Sequence, residues 1–392
     1  MKNIRIEKTE LVCVFLILNI IFIHNWGCAQ KLQANIQSLP IPLVYDQNWN
    51  YTPVFSDDFA SPGRHWLSNR TDNEGKWRAY FHESGVTHGK YEHQIYQIEN
   101  TLFNVPSTGF LTLRATYHNP CVTSYWYPYW SPETGCFNYI SGAIESINPF
   151  KYGYFEIRAK LPPPNCGNFP AFWLYSGTNV GNRYSEIDIF EHTITPEIPL
   201  SYKRFTIGYH ASDGSTVLNG AYYLQTAEAP LTEFHTYAIE WSPKIIIWYL
   251  DGKVIVPADY RKDNIAKVPA FYDERITDQI MFIKVNYAID NWKNDTTCHH
   301  TSLFPLDMVV DYVKVYKLNC DCNTPVTITN NTDLSAHSKS VKKNITVGTS
   351  SGTISIPNTG ITLRATDEII INSNFEVPLG SEFTAIVHDC PE

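Results

Sequence analysis

Short apolar segments, separated by clusters of glycine, proline, asparagine and aspartate, recur along most of this 392-residue chain. Residues 110–115, 154–159 and 245–250 are three of these segments. Asp251-Gly252 links the last of them to another apolar run in the manner of a β-hairpin. No long segment has the period of an amphipathic helix. The pattern therefore predicts an all-β protein whose main domain is a β-sandwich.

The first 29 residues predict an export signal that is removed from the mature protein. Lys2, Arg5 and Lys8 form a basic start. Residues 11–23 are an apolar run that is short for a membrane span, and small residues then lead to Ala29, where we expect cleavage. The mature protein is therefore expected to have no transmembrane segment and to be secreted, into the periplasm, onto the cell surface or into the medium.

The rest of the chain divides by composition. Residues 30–50 contain prolines and no clear period, which indicates a linker, and residues 51–319 hold the aromatic-rich strands. After residue 323 aromatic side chains become rare while serine, threonine and asparagine increase. We therefore expect residues 323–392 to form a small C-terminal β module of unknown role, with spacing as the default and binding or attachment as alternatives.

Seven of the nine cysteines lie outside the export signal: Cys121, Cys136, Cys166, Cys298, Cys320, Cys322 and Cys390. In an oxidising compartment they predict disulfides rather than metal ligands. Cys121 and Cys136 are the favoured local pair, and their disulfide would close a loop rich in tyrosine and tryptophan; the sequence leaves the connectivity of the whole set open. Because seven is odd, at least one thiol stays unpaired or pairs with another molecule.

Charge and aromatic content limit the partners of this protein. A formal net charge of −9 argues against nonspecific binding to nucleic acid or to anionic membranes. The 10 tryptophans and 25 tyrosines suit flat platforms on which sugar rings stack, although a β-rich core is the plainer explanation. We expect a monomer whose partner is a polysaccharide, with no nucleic acid.

Three carboxylates, Glu186, Asp188 and Glu191, lie within six residues of an otherwise apolar segment. On a strand Glu186 and Asp188 share one face, whereas Glu191 points the other way, because side chains alternate. One β-bulge would return Glu191 to the first face. The two glutamates would then be roughly 13 Å apart between Cα atoms. Side chains that lean together could reach the separation of about 5 Å used by retaining glycosidases.

The same spacing has two plainer explanations. One is an acidic cluster that binds a metal, and the other is a solvated strand face. The spacing fits a two-carboxylate glycosidase only if a bulge lies between the first and last carboxylate.

Six segments, taken in order, resemble glycoside hydrolase family 16, the laminarinase, agarase and carrageenase group. They are residues 152–162, 170–174 (Pro-Ala-Phe-Trp-Leu), 186–191 (Glu-Ile-Asp-Ile-Phe-Glu), 234–241, 248–252 and 310–316. The resemblance covers roughly residues 50–318. It implies a concanavalin-like β-jelly-roll sandwich whose concave sheet carries the substrate cleft, with the acidic motif on a bulged strand.

The resemblance also implies the roles of the three carboxylates. Glu186 would be the nucleophile, Glu191 the general acid/base, and Asp188 the carboxylate that orients and tunes the nucleophile. Glu191 must be protonated to donate to the departing oxygen, and a neighbouring negative charge in a partly dry cleft raises its pKa. Hydrolysis would then proceed through a glycosyl-enzyme with retention of configuration, and no cofactor is required.

Further positions resemble substrate contacts of the family: Trp173, His210, Asn286, Trp292, Glu92 and Gln94. Plainer structural explanations exist for these, such as a core tryptophan at Trp173 and a surface histidine at His210. Asp311 resembles a position that in some relatives helps to hold a structural calcium ion. We treat that ion as optional.

These observations favour a secreted, endo-acting, retaining glycoside hydrolase that cleaves β-1,3- or β-1,3-1,4-glucan. The alternative substrate is a marine galactan such as agarose, porphyran or carrageenan. A sulfated galactan would be favoured by basic side chains facing the cleft, for which the candidates are Arg183, Lys203, Arg204 and Lys284. Phe169 stands where many laminarinase-like relatives have tryptophan, so the substrate is less determined than the reaction.

A noncatalytic carbohydrate-binding protein is the hypothesis from another class, because lectins share the sandwich. A protein that only binds sugar needs no nucleophile with a paired acid, so the presence of all three carboxylates argues against it. Transglycosylation is a third alternative, which needs only an acceptor sugar that outcompetes water.

Overall fold

The computed structural model describes residues 4–7, 53–82, 92–103, 109–123, 136–163, 167–176, 183–192, 201–213, 217–242, 245–255, 271–272, 278–289, 301–317, 320–337, 340–348, 353–356, 361–372, 374–378, 381, 383–387 and 390. Short 3-10 helices lie at Ile98–Asn100, Ser201–Lys203 and Thr301–Leu303, and the α-helix α1 spans Asn331–His337. In chain order the strands are β1 (Ile4–Glu7), β2 (Phe55–Asp57), β3 (Trp77–Arg78), β4 (Gln94–Tyr96), β5 (Thr101–Phe103), β6 (Leu111–Thr123), β7 (Cys136–Ser141), β8 (Ala143–Ser146), β9 (Gly153–Lys160), β10 (Asn168–Tyr175), β11 (Arg183–Glu191), β12 (Arg204–Asp213), β13 (Val217–Thr226), β14 (His235–Ser242), β15 (Ile245–Leu250), β16 (Lys253–Ile255), β17 (Phe271–Tyr272), β18 (Phe282–Ile289), β19 (Leu306–Tyr316), β20 (Cys320–Asp321), β21 (Val326–Ile328), β22 (Val341–Val347), β23 (Ile354–Ser355), β24 (Ile361–Ile371), β25 (Phe375–Glu376) and β26 (Phe383–Val387).

Two sheets pack face to face and form the sandwich. The front sheet has the strand order β13-β12-β11-β10-β18-β8-β3, and each strand is antiparallel to its neighbours in this order. The back sheet has the order β16-β15-β14-β9-β19-β6-β7-β4, with β17, β2 and β5 attached to β15, β19 and β6. The prediction of an all-β jelly-roll sandwich is confirmed.

The core between the two sheets follows from alternation along the strands. On β9, Phe155 and Ile157 face the core and are completely buried, while Tyr154 and Glu156 point to the other side of the sheet. Burial of one such apolar side chain stabilises the fold by about 1.5–3 kcal/mol relative to leaving it exposed. The two-residue period of the sequence therefore translates directly into a layer of buried side chains.

The predicted Asp251-Gly252 hairpin is also confirmed. β15 and β16 are antiparallel, and Leu250 pairs with Lys253 across the turn. Asp251 and Gly252 have φ values of 50° and 74°, as the turn type favoured in two-residue hairpins requires. Glycine suits the second position because it has no Cβ to oppose a positive φ.

The C-terminal segments stack as a small coil of parallel strands. β22 pairs in parallel with β20, β21 and β24, β24 pairs in parallel with β26, and β23 pairs in parallel with β25. Its buried apolar residues, from Ile328 to Val387, form a cluster separate from the core of the sandwich. The change in composition near residue 323 therefore falls between two cores.

Two disulfides are present among the described residues. Cys121 pairs with Cys136, which confirms the predicted local disulfide. Cys322 pairs with Cys390 and so ties the start of the C-terminal module to its end. The remaining cysteines outside the signal comprise Cys320, whose sulfur lies beside this second disulfide, and Cys166 and Cys298, which lie outside the described residues.

Strand β1 lies within the predicted export signal. It pairs antiparallel with the end of β24, with Ile4 opposite Ile371. If the signal is cleaved as predicted, this strand leaves with it. Across the described part of the chain, no helix is both long and apolar enough to cross a membrane, and the predicted linker at residues 30–50 lies outside that part.

Candidate active site

Strand β11 contains a bulge within the acidic segment. On the side of β10, Trp173 lies opposite Asp188, but the preceding residue Phe172 lies opposite Phe190. Ile189 is therefore the extra residue on β11. Both Ile189 and Phe190 are buried in the core, which strict alternation would not allow for consecutive residues.

The bulge also appears in the pairing with β12. Asp188 lies opposite Gly208, whereas Glu191 lies opposite Thr206, so one extra residue separates the two carboxylates on β11. Because Ile187 faces the core, Glu186, Asp188 and Glu191 all belong to the opposite side of the sheet. We call this side, turned away from the core, the front face. The bulge that a two-carboxylate glycosidase would require, and that the family resemblance implies, is present within the acidic motif.

A core tryptophan helps to fix the bulge. Trp248, from β15 of the back sheet, is completely buried and donates its indole N–H to the backbone carbonyl of Asp188 at 2.9 Å. A bulge disrupts the regular ladder and leaves backbone groups that need other partners. This hydrogen bond reaches through the core to the backbone beside the bulge, so the back sheet contributes to the position of the acidic segment.

The acidic side chains gather around His210 on β12. Oxygens of Glu186 and Asp188 and a ring nitrogen of His210 all lie within 4.8 Å of one another. His210 Nε2 is 3.4 Å from Asp188 Oδ2. Asp188 is buried, whereas Glu186, Glu191 and His210 are partly exposed on the front face. Three donors this close could also ligate a cation, so proximity by itself does not separate a metal site from a catalytic one.

The surroundings of Glu191 favour its protonated form. Burial raises the pKa of Glu191 well above its usual value of 4.5, and the negative charges of Asp188 and Glu186 raise it further. His210 and a hydrogen bond from Thr206 act in the opposite direction without reversing the shift. The hydroxyl of Thr206 is 3.4 Å from Glu191 Oε2. The site can therefore hold one neutral carboxyl group beside other carboxyl groups, as acid catalysis requires.

The raised pKa of Glu191 predicts a pH-dependent effect on stability. Above about pH 4.5 the unfolded chain releases this proton while the folded protein retains it, so the folded state loses stability as pH rises. Glutamine imitates the neutral form, and Glu191→Gln should therefore raise the unfolding temperature by a few degrees at neutral pH. At about pH 4 the difference should vanish, because both states are then protonated. Thermal unfolding of both proteins at the two pH values checks this, and an equal difference at both would contradict it.

Four of the predicted substrate contacts form a hydrogen-bonded row beside the carboxylates: Trp173, Asn286, Glu92 and Gln94. Trp173 donates its indole N–H to Asn286 at 2.8 Å, and Asn286 donates to the hydroxyl of Tyr96 at 3.0 Å. Tyr96 in turn donates to Glu92 at 3.3 Å, and Gln94 donates to the same carboxylate oxygen at 2.5 Å. Tyr96 was missed by the sequence analysis because an aromatic residue in a short apolar segment resembles any core residue.

Exposure separates the members of this row. Trp173, Gln94 and Asn286 are at most 5% exposed, and Gln94 also accepts the backbone N–H of Ile289 at 2.6 Å. Glu92 is partly exposed. Trp173 packs with Phe81 and its neighbours, so it is mainly a buried wall residue and can offer little of its ring to a sugar. Trp292, the sixth predicted contact, lies outside the described residues.

The described front face also contains a buried ion pair that the sequence did not reveal. Lys284 on β18 donates to Glu145 on β8 at 2.5 Å, and both side chains are completely buried. His82 is 2.8 Å from the same carboxylate, and Arg78 is 3.3 Å from it. Burial opposes ionisation of Glu145, but the charge of Lys284, together with the hydrogen bonds from His82 and Lys284, holds the pKa of Glu145 below its usual value. Lys284 lies on the front face, as the sulfated-galactan alternative required, but Glu145 already neutralises its charge.

The other basic candidates differ in position. Arg204 on β12 has the parity of Thr206, because Phe205 between them faces the core, so Arg204 lies on the front face. It is partly exposed, its Nε is buried without an acceptor, and it forms no ion pair with the residues that the structure describes. Lys203 donates to the backbone carbonyl of Glu228, and Arg183 is exposed with the parity of core-facing Ile187.

Asp311 does not have the surroundings of a calcium ligand. Its carboxylate, on the back sheet, is held in an ion pair by Arg158 on the neighbouring strand β9. Among the described residues it belongs to no group of three side chains that could hold a metal ion. A guanidinium in direct contact opposes a divalent cation, so the optional calcium ion does not fit at this position.

A bulged strand that places two glutamates and an aspartate on one face of a two-layer β-sandwich offers the pair of carboxylates that glycosidases use. Residues 90–313 match the family described as glycosyl hydrolases family 16, and the chain belongs to that family. The matched residues include the whole of β11 and most strands of both sheets. Membership favours a catalytic role for the acidic cluster over the metal-binding alternative.

Curated relatives carry glucanase names. The chain is 30% identical over 192 residues to an endo-1,3-1,4-beta-glycanase, EglC, from Rhizobium meliloti, covering 48% of this chain and 36% of the relative. It is 32% identical over 172 residues to a beta-glucanase from Rhodothermus marinus, covering 42% of this chain and 57% of the relative. The chain thus spans between about a third and somewhat over half of the length of these relatives.

Solved structures support the fold. A LamA variant from Z. galactanivorans, in complex with laminaritriose and laminaritetraose, aligns with a TM-score of 0.51 and 21% identity over 68% of this chain and 99% of its own. A structure from work on endo-acting O-glycanases of the human gut microbiota aligns with a TM-score of 0.50 and 23% identity over 69% of this chain and 91% of its own.

Proposed function

We propose that this protein is an exported, monomeric, endo-acting retaining glycoside hydrolase of β-linked polysaccharide, most directly of β-1,3- or β-1,3-1,4-glucan. The observation that carries the proposal is the bulge at Ile189, which places Glu191 on the same face as Glu186 and Asp188. A solvated acidic face would not need this change of parity. The relatives named as glucanases support the choice of a glucan.

In this proposal Glu186 attacks the anomeric carbon while Glu191 gives its proton to the departing glycosidic oxygen. The bond between that carbon and oxygen breaks, and an ester bond to Glu186 forms. Glu191, now ionised, takes a proton from a water molecule that attacks the anomeric carbon. The bond between this carbon and the Glu186 oxygen breaks, and this step restores both residues. Two displacements at one carbon retain its configuration, and the cycle needs no cofactor.

Asp188 has a supporting role in this proposal. Asp188 lies between the two glutamates in the chain, and its side chain is buried. Its charge helps to keep the proton on Glu191. His210 lies 3.4 Å from Asp188 and opposes part of that effect. The proton on Glu191 is thus controlled by groups on two strands, β11 and β12.

A second candidate substrate is a sulfated galactan, and one observation favours it. Arg204 places a guanidinium on the front face, on the strand that also carries Thr206 beside Glu191, without an ion pair in the described part of the chain. Such a group is suited to bind a sulfate ester through paired N–H donors. Lys284 gives no such support, because Glu145 neutralises it.

Release of reducing ends from a panel of polysaccharides tests the proposal. The panel contains laminarin, mixed-linkage glucan, agarose, porphyran and carrageenan, and Arg204→Gln is assayed beside the wild-type protein. We expect the wild-type protein to be active on the glucans. Arg204→Gln should change this activity by less than about threefold, since a glucan carries no charged group that Arg204 could bind. Activity on a sulfated galactan that falls about tenfold or more in Arg204→Gln would replace the glucan by the second candidate. Binding without cleavage of any polymer would favour the noncatalytic alternative.

A further inference from the structure

Two glutamates on the outer face of the back sheet have lost almost all contact with solvent. Glu156 on β9 and Glu240 on β14 are each 1% exposed. Their strand neighbours Phe155 and Ile239 face the core, so both carboxylates point out of the sandwich. A carboxylate on the outer side of a two-layer sandwich stays hydrated unless another part of the chain covers it. Other side chains of the protein therefore cover both carboxylates.

The covering group at Glu240 is Arg364, from β24 of the C-terminal module. Arg364 donates from Nε to Glu240 Oε1 at 3.1 Å and from Nη2 to Oε2 at 2.5 Å, and both side chains are 1% exposed. Leu363 and Ala365 face the core of the module, so Arg364 points out of it. An arginine that points outward and is nevertheless buried must be buried against the sandwich.

Tyrosines of the sandwich hold the two carboxylates. The hydroxyl of Tyr249 donates to Glu240 at 3.3 Å. Glu156 accepts from Tyr312 at 2.8 Å and from Tyr154 at 3.3 Å. These donors all belong to the back sheet, so Glu240 is positioned by its own domain. The planar fork of Arg364 matches this carboxylate in one orientation only.

We propose that the C-terminal module is a fixed part of the sandwich, docked through Arg364 into the site formed by Glu240 and Tyr249, and that the two units unfold together. This inference does not depend on the proposed hydrolase activity. Removal of one partner of a buried pair leaves the other charge without compensation, so the contact is sensitive to substitution. The module lies on the sheet opposite the acidic cluster, so it stabilises the back of the sandwich rather than contacting a sugar on the front face.

Calorimetry and limited proteolysis of the full-length chain test the proposal, with Arg364→Met and the milder Glu240→Gln as variants. The matched control is Arg114→Met, which removes a bidentate ion pair with Asp307. Both residues of this pair belong to the back sheet, and their side chains are about one-third exposed. We expect one unfolding transition for the wild-type protein. Both interface variants should unfold in two transitions, or several degrees earlier, and trypsin should cleave faster near Lys317.

The control should retain one transition and the wild-type rate of cleavage. The doubly substituted Glu240→Arg, Arg364→Glu chain should recover part of the loss, because it restores the pair in reverse. Two separate transitions in the wild-type protein would overturn the proposal, as would interface variants that behave like Arg114→Met. If Arg364→Met does not fold, Glu240→Gln and the doubly substituted chain still provide the comparison.

Discussion

Glu186→Gln should lower the release of reducing ends from the preferred polysaccharide by roughly 10⁴-fold or more. Glutamine has nearly the same shape but cannot attack the anomeric carbon, so the glycosyl-enzyme cannot form. The variant should fold and retain binding, because Glu186 is a partly exposed side chain outside the core of the sandwich. Kinetics on the polymer, with an unfolding curve of the same preparation, provide the measurement.

The matched control is Glu228→Gln, which neutralises an exposed glutamate paired with Lys253 away from the acidic segment and should leave activity unchanged. A second test uses Glu186→Ala with added azide and an oligosaccharide that carries an activated leaving group. Azide should enter from the vacated side and give a glycosyl azide of inverted configuration. Activity of Glu186→Gln close to that of the control would show that Glu186 is not the nucleophile.

Glu191→Ala should lower activity on the polysaccharide by about 10²–10⁴-fold, because the departing sugar oxygen then receives no proton. A substrate with an activated leaving group needs no such proton, so its first chemical step should be nearly unchanged. The fall in activity of the wild-type protein at alkaline pH should disappear in the variant, since that fall reports ionisation of Glu191. Steady-state kinetics on both substrates across pH distinguish these effects.

Asp188→Asn is the comparison for this experiment. The charge of Asp188 helps to raise the pKa of Glu191 in the wild-type protein. In Asp188→Asn the fall in activity at alkaline pH should therefore remain, but it should begin at a lower pH. Equal losses in Glu191→Ala on the polymer and on the activated substrate would contradict the assignment of Glu191 as the acid. Azide should rescue Glu191→Ala with retained configuration, in contrast to Glu186→Ala.

The acidic segment shows which features of the site could be predicted from the local sequence. The spacing of Glu186, Asp188 and Glu191 showed that the three side chains share one face only if the strand carries a bulge, because the side-chain period on a strand is fixed. It could not identify Ile189 as the extra residue, since this depends on the register with two neighbouring strands. The hydrogen bond from Trp248 to the carbonyl of Asp188 joins residues 60 apart and belongs to the packing of the two sheets.

Two buried ion pairs could not be predicted from the sequence at all. Lys284 and Glu145 are 139 residues apart, and Arg364 and Glu240 are 124 apart. Each residue, taken in its own segment, resembles an ordinary polar side chain on a solvated strand face. Lys284 was a candidate contact for a sulfated substrate, and only the position of Glu145 removes that interpretation.

The sequence by itself predicted the all-β class, the Asp251-Gly252 hairpin and a local disulfide between Cys121 and Cys136. It also showed that the three carboxylates can share one face only if the strand carries a bulge. These features follow from interactions between residues near one another in the chain, where alternation and turn chemistry act directly. The tertiary structure alone decided which charges are neutralised, which groups raise the pKa of Glu191, and where the C-terminal module docks. Those outcomes depend on burial and on partners supplied by distant strands, and neither is fixed until the sheets have packed.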